Sequence, residues 1–230
     1  MSKHKSSIAT SKLSHYANTI LTKYLGLSKI VKVGGIKFFC PTFMEVWRAE
    51  TLYLKEPETI DWIDSFDPHS VFWDFGANVG TYSVYAASKG HFVVCFEPSS
   101  REFEILKRNL ELNHSWADAK KVYAGDDTDY SDVAKPDYIK IDTDGADIAI
   151  LKGLRTIIGS VKGILIEIDP EYRERIFCMM KLYGFSLKSE QQSEMIKNSP
   201  YSKYTSGIFS KEEDIIKISP HPDTHKRDEP

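Results

Sequence analysis

Strong charge of either sign is missing from this 230-residue sequence: 30 Lys and Arg stand against 33 Asp and Glu, a formal net charge of −3. Such a balance gives no electrostatic footing for a polyanion, so nucleic acid is not expected as a partner. Long apolar runs are missing too. No stretch approaches the roughly 18 residues that span a bilayer, so no transmembrane segment is expected. The basic start MSKHKSSIATSK leads into no signal-peptide core. Cysteine is scarce. Cys40, Cys95 and Cys178 are odd in number and match no zinc or redox spacing. Cys95 lies within FVVCF and reads as a small buried hydrophobe. These absences point to a reducing, cytoplasmic setting.

What is there divides into three parts. Residues 1–29 read as an extension, 30–218 as one α/β domain, and 219–230 as a disordered polar tail. Within the extension, residues 1–12 are polar and expected to be disordered. Leu13, Tyr16, Ile20, Leu21, Tyr24 and Leu25 then recur at near-helical spacing. Such a helix packs on its own domain or, with Lys12, Lys23 and Lys29, makes peripheral membrane or partner contact. Gly34-Gly35 between Ile30–Val33 and Ile36–Phe39 predicts a hairpin, and Pro57 opens a helix to Phe66.

Strands and helices then alternate. Strands are expected at Val71–Phe75, His91–Phe96, Lys121–Ala124, Tyr138–Ile141 and Ile164–Ile168. Helices are expected at Gly80–Ser88, Ser99–Leu112, Ile148–Ile158 and Tyr172–Tyr183. Ser99 and Glu102 have capping-box spacing. Phe185–Lys188 and Gly207–Ser210 read as two last strands. Repeated βα units with apolar strands such as VFWDF and ILIEI imply a Rossmann-like, mostly parallel sheet with helices on both faces.

The strongest local signal is VFWDFGANVG, residues 71–80, a strand running into a glycine turn and then a helix. Open α/β sheets bind ligands at such carboxyl ends. Glu97 follows the next strand, 23 residues beyond Asp74, where a carboxylate can accept both hydroxyls of a ribose. The turn reads G-x-x-x-G. It lacks the middle glycine that admits a pyrophosphate. A nucleoside without phosphate, S-adenosylmethionine, fits that departure better than NAD. Asp74 can attract its ammonium, and backbone N–H groups at Gly76, Ala77, Asn78 and Gly80 can meet its carboxylate. A nicotinamide-dependent oxidoreductase and a noncatalytic binding module stay open as alternatives.

Methyl transfer to an alcohol needs alignment and a proton acceptor. Asp142 ends the fourth core strand, and Lys140, two residues back, shares its strand face and can hold it charged. A divalent cation on Asp142, Asp144, Glu167 and Asp169 is the less favoured mechanism. A calcium loop at DTDG fails because its twelfth residue is Gly153 instead of Glu. His69, His91 and His114 read as surface residues, and Trp73 and Tyr82 as packing near the loop.

DFGANVGTYSVYAA (74–87), FEPSSREFEILKRNLELN (96–113), IKIDTDGADIAILKGL (139–154) and ILIEID (164–169) together resemble the FkbM-type methyltransferase family, with EPETIDWID (56–64) similar to its lead-in helix. The resemblance spans about residues 50–210. It implies a class I methyltransferase fold and methylation of an oxygen, often on a sugar or another small-molecule or glycan hydroxyl. Asp74, Gly76, Asn78 and Gly80 then correspond to the cofactor loop and Glu97 to the ribose ligand. Lys140, Asp142 and Gly145 fall in the family's fourth-strand motif, and Glu167 in its fifth-strand position. Two departures stand out. Asp147 replaces the usual Glu, and residues 120–137 are shorter than the family's several elements there. Within that short stretch Asp126 is the expected contact to the adenine amino group, with Asp127 as the alternative.

Overall fold

The computed structural model describes residues 28–193, 195 and 202–211. The expected N-terminal helix at 13–25 and the tail at 219–230 lie outside the described residues. A hairpin comes first, β1 (Lys29–Val33) antiparallel to β2 (Ile36–Cys40). Helices α1 (Phe43–Glu50) and α2 (Pro57–Asp64) follow. Next come β3 (Val71–Phe75), α3 (Thr81–Ser88), β4 (Phe92–Phe96), α4 (Ser100–Leu112) and β5 (Ala117–Lys120). After these the chain runs through β6 (Tyr138–Ile141), α5 (Asp147–Gly153), β7 (Gly163–Ile168) and α6 (Arg173–Leu182). It closes with β8 (Phe185–Gln191) and β9 (Thr205–Lys211).

Seven strands form one sheet in the order β5-β4-β3-β6-β7-β9-β8. The five from β5 to β7 are parallel. At the far edge β9 alone is reversed, antiparallel to β7 on one side and to β8 on the other. The sequence-based expectation of a mostly parallel Rossmann-like sheet therefore holds. Its strand order reverses at β3, which has β4 on one side and β6 on the other. Ligands of open α/β sheets bind at such a switch point.

Alternating residues send their side chains to opposite faces, so a strand buried on both sides is apolar throughout. Phe72, Val93 and Cys95 join one core with Val46, Ile63 and Leu106 from the helices and hairpin side. Trp73, Phe75 and Ile139 join the other, with Leu151 of α5 and Met180 of α6. Asn109 of α4 cross-links the first layer. Its amide donates to the Val79 carbonyl at 2.7 Å and its oxygen accepts from Phe39 N–H at 2.6 Å.

Three expectations shift. The strand expected at Lys121–Ala124 lies at Ala117–Lys120, where four half-buried residues form the sheet edge. The more apolar Val122, Tyr123 and Ala124 belong to the loop beyond it. The helix expected to reach Ile158 ends at Gly153 and continues as two 3₁₀ turns, Leu154–Thr156 and Ile158–Ser160. Glycines at 153 and 159 disfavour a continuous helix there. Helix α1 was not anticipated, although Thr42 and Glu45 form its complete capping box. At Ser99 the box is incomplete: the hydroxyl donates to Glu102 and caps no backbone N–H.

His91 also departs from its expected surface place. It is 4% exposed, packs edge-on against Phe66, and its Nδ1 has no hydrogen-bond partner. Burial, with help from His69 and Lys89, pushes its pKa below the ordinary histidine value despite Asp64. The unfolded chain therefore takes up this proton first as pH falls. Stability from neutral His91 is complete above an unfolded pKa of about 6.5 and declines below it. Urea unfolding at pH 7 and pH 5 is expected to show a smaller acid-induced loss in His91→Gln than in the native chain.

Candidate active site

The glycine turn after β3 is shaped by the chain itself. Gly76 has φ +74°, and a Cβ there would lie 1.8 Å from the Asp142 carbonyl oxygen. Gly80, at φ +84°, faces Leu106 of α4, whose Cδ1 would stand 2.6 Å from a Cβ. Close approach of β6 and α4 thus requires both glycines before any ligand is considered. Gly76 N–H and Ala77 N–H donate to the Phe96 carbonyl at 3.0 and 3.2 Å, fastening the turn to the end of β4.

The same joint fixes Glu97. One carboxylate oxygen accepts Asn78 N–H and the other accepts Ser99 N–H, each at 2.8 Å. A carboxylate has about four acceptor positions, so two remain for a ligand. Glu97 lines a cleft of about 230 Å³ with Gly76, Asn78, Tyr123, Asp142 and Ile150. Phe75 and Phe96, stacked at 4.3 Å, also border it. Tyr123 is 73% exposed and stands on the wall opened by the short stretch after β5.

Lys140 lies behind Asp142. It is 2% exposed and its ammonium donates to Asp142 at 2.7 Å, with Asp74 at 3.9 Å. Burial draws the Lys140 pKa down, but Asp142 and Asp74 outweigh it and hold the ammonium charged. Loss of solvent pushes the Asp142 carboxyl up. Lys140, then Lys55, more than compensate and keep it below the usual carboxylate range. Asp74 is 1% exposed; one oxygen accepts the Ser83 hydroxyl at 2.5 Å and the other has no hydrogen bond. Burial pushes its pKa up despite Lys140. Glu167 of β7 is half-buried, and burial together with the Asp142 charge pushes its pKa up to about 8.

Of the residues expected to hold a cofactor, Gly76, Asn78 and Glu97 reach the cleft, as does Asp142. Ala77, Gly80 and Asp74 do not line it, and the N–H groups of Gly76, Ala77, Asn78 and Gly80, expected to meet a ligand carboxylate, are instead donated to Phe96, Glu97 and Ala77 within the chain. Asp126 does not share it; it lines a separate depression with Asp127, Tyr130 and Arg155. Lys140 touches Asp142, and the Asp142 charge acts on Glu167 of β7. The cation arrangement is not built, since among the described residues no three Asp, Glu, His or Cys side chains converge on one point. Asp169 is instead engaged by Lys203 at 3.2 Å and by Glu171 N–H at 3.0 Å.

Tyr82 and Glu56 form a second tier. The Tyr82 hydroxyl donates to Glu56 at 2.8 Å, Lys55 pairs with Glu56 at 2.5 Å, and the Lys140 ammonium lies 5.4 Å from the Tyr82 ring centre. The Ser193 hydroxyl donates to the Lys55 carbonyl, so the segment after β8 abuts this tier. Sequence patterns missed Glu56, because a buried acid in a helix lead-in looks like a solvated one. Tyr123 had a weak signal, an aromatic just beyond an edge strand.

A switch-point cleft with a fixed carboxylate at the end of β4 defines the Rossmann-like class I methyltransferase fold. No family model matches the chain. The hexuronic acid methyltransferase AglP of Haloferax volcanii is 24% identical over 194 residues, 66% of this chain and 81% of that protein. Among solved structures, a precorrin-6y C5,15-methyltransferase from Geobacter metallireducens aligns with TM-score 0.54 at 12% identity. It covers 69% of this chain and 87% of its own. The magnesium protoporphyrin IX methyltransferase of Synechocystis, solved with bound S-adenosylmethionine, aligns with TM-score 0.53 at 14% identity, over 74% and 82% of the two chains. Among the described residues no helix is long and apolar enough to cross a membrane.

Gly76→Ala is expected to cost roughly 2 kcal/mol or more of stability, from a strained φ and a backbone clash. Chemical denaturation checks it. A cost below 0.5 kcal/mol, the range of roughly neutral surface changes, contradicts this close contact.

Proposed function

We propose that this chain, an S-adenosylmethionine-dependent methyltransferase, transfers its methyl group to an oxygen of a sugar or sugar-like acceptor. The observation that carries the reading is the Glu97 carboxylate, fixed by two backbone N–H groups with lone pairs left at the cleft. The cofactor fits the donor set. Glu97 would hold the ribose hydroxyls and Tyr123 with Ile150 would form the adenine wall, while the turn at Gly76–Asn78, whose N–H groups are already donated to Phe96 and Glu97, would border the amino-acid end without donating to it. When bound it supplies an electrophilic methyl group. The likeness to the FkbM-type family and to a hexuronic acid methyltransferase supports a sugar acceptor.

Asp142 is the proton acceptor of this scheme. Lys140 holds it anionic and fixes its direction. Glu167 keeps its proton near neutral pH and can donate a hydrogen bond to the acceptor. The G-x-x-x-G turn, which lacks the middle glycine of the pyrophosphate-binding pattern, argues against NAD.

Calorimetric titration is expected to show micromolar S-adenosylmethionine binding and no NAD binding; the opposite order overturns the reading. Glu97→Ala should weaken the cofactor roughly 10- to 100-fold, the worth of a charged hydrogen bond. Asp142→Asn should lower turnover on an accepted sugar by about 10²–10⁴-fold with cofactor affinity preserved. Activity should decline as pH rises through about 8, where Glu167 loses its proton. A kcat/KM profile of Glu167→Gln, which keeps a donor, should lack that alkaline limb.

A further inference from the structure

We propose that Tyr82 and Ser83, neighbours in the first turn of α3, are positioning residues that commit the Lys140 ammonium to Asp142 in preference to Asp74. The inference rests on the reading above for the role of Asp142 as proton acceptor. The strand register places Lys140 opposite Asp74, its neighbour across β3 and β6. Its hydrogen bond nevertheless goes to Asp142 at 2.7 Å, whereas Oδ1 of Asp74 lies 3.9 Å away, beyond hydrogen-bond reach. That oxygen is buried and has no hydrogen-bond partner. An orphaned buried carboxylate oxygen attracts a neighbouring ammonium, so the observed division needs a cause.

Helix α3 supplies two causes. Ser83 is buried, and its hydroxyl donates to Oδ2 of Asp74 at 2.5 Å, which stabilises that carboxylate without the lysine. Tyr82 acts on the cation itself. The Lys140 ammonium lies over its ring, 5.4 Å from the centre, within the range at which an aromatic face attracts a cation. The ring is fixed in turn, because its hydroxyl donates to Glu56 at 2.8 Å and Glu56 pairs with Lys55. Two successive side chains of one helix thus satisfy Asp74 and hold the ammonium. Other charges surround the pair. Lys55 and Arg48 also favour ionised Asp142. The carboxylates of Asp147 and Glu167 oppose it, Glu97 opposes ionised Asp74, and Asp144 adds to the field on Glu167. Substitution at Tyr82 or Ser83 removes none of these charges, so the variants isolate the ring contact and the hydroxyl.

The test follows the aspartate carboxyl carbons by NMR in the ligand-free full chain, labelled there with carbon-13, with Asp142 assigned through D142N. In S83A and in Y82L the ammonium should swing to Asp74, and Asp142 should bind its proton about 10-fold more tightly than in wild type. Y82F keeps the ring and should stay within about threefold of wild type. A folded S83A or Y82L that stays within that range overturns the proposal, as does a Y82F displaced as far as Y82L. Wild type alone gives a second reading: a hydrogen-bond coupling from Lys140 Nζ to the Asp142 carboxyl carbon and none to Asp74. Coupling to Asp74 overturns the proposal without any variant. The titration needs no substrate, so the two readings separate. A displaced titration with an unmoved acid limb of kcat/KM supports the positioning and removes Asp142 as proton acceptor. An undisplaced titration with turnover lost in D142N removes the positioning alone.

Discussion

One buried ammonium organises the carboxyl ends of the central strands. Lys140 is paired in register with Asp74 across β3 and β6, and its side chain ends at Asp142. An ion so deeply buried stays charged only if opposite charges surround it. The two aspartates do that, and in doing so they fix where β6 stops and where the turn after β3 begins. Asp142 N–H donates to the Phe75 carbonyl at 3.1 Å, while its own carbonyl packs so closely on residue 76 that no side chain fits there. The turn, the cleft floor and the orientation of Asp142 are therefore consequences of neutralising one lysine.

Two kinds of force build the two sides of the site. On the cofactor side, backbone N–H groups grip Glu97, and the geometry is as stiff as the strands that carry it. On the Lys55 side, the chain uses side chains: Lys55, Glu56 and Tyr82 come from helices and their lead-ins, outside the sheet. Such a division suits a transferase. In the proposed reading the constant cofactor is met by a carboxylate that the backbone fixes, whereas an acceptor would be distinguished by a few side chains that can change without disturbing the sheet.

The sheet was legible because its signals are local and strong. VFWDF and FVVCF can sit in the centre of a parallel sheet and almost nowhere else, and the turn between strand and helix announces itself by two glycines. Lys140 and Asp142 were legible as a pair because spacing by two puts both on one face. What escaped was set by distant packing. Asp126 has the polarity expected at an adenine edge, but the chain from Lys121 to Ala124 leaves the sheet early and turns Tyr123 to the cleft instead. His91 reads as a loop histidine until Phe66 closes over it. Glu56 carries no motif; its place is set by Lys55 and Tyr82, which close on it.

The short stretch between β5 and β6 bears on whether the site is complete. A longer connection would bring extra elements against the cleft. Here three residues after the edge strand, Val122, Tyr123 and Ala124, serve as that wall because they are released from sheet pairing. On the other side the missing mass is supplied from earlier in the chain. Glu56, at the start of α2, reaches Tyr82, and the Ser193 hydroxyl, far along the chain, closes on Lys55. Segments distant in sequence thus meet around Lys55 and Glu56, and the Tyr82 ring they hold lies 5.4 Å from the Lys140 ammonium. Shielding that ammonium demands such a cover, and a cover made of charged side chains beside Asp142 is also a surface that can select an acceptor.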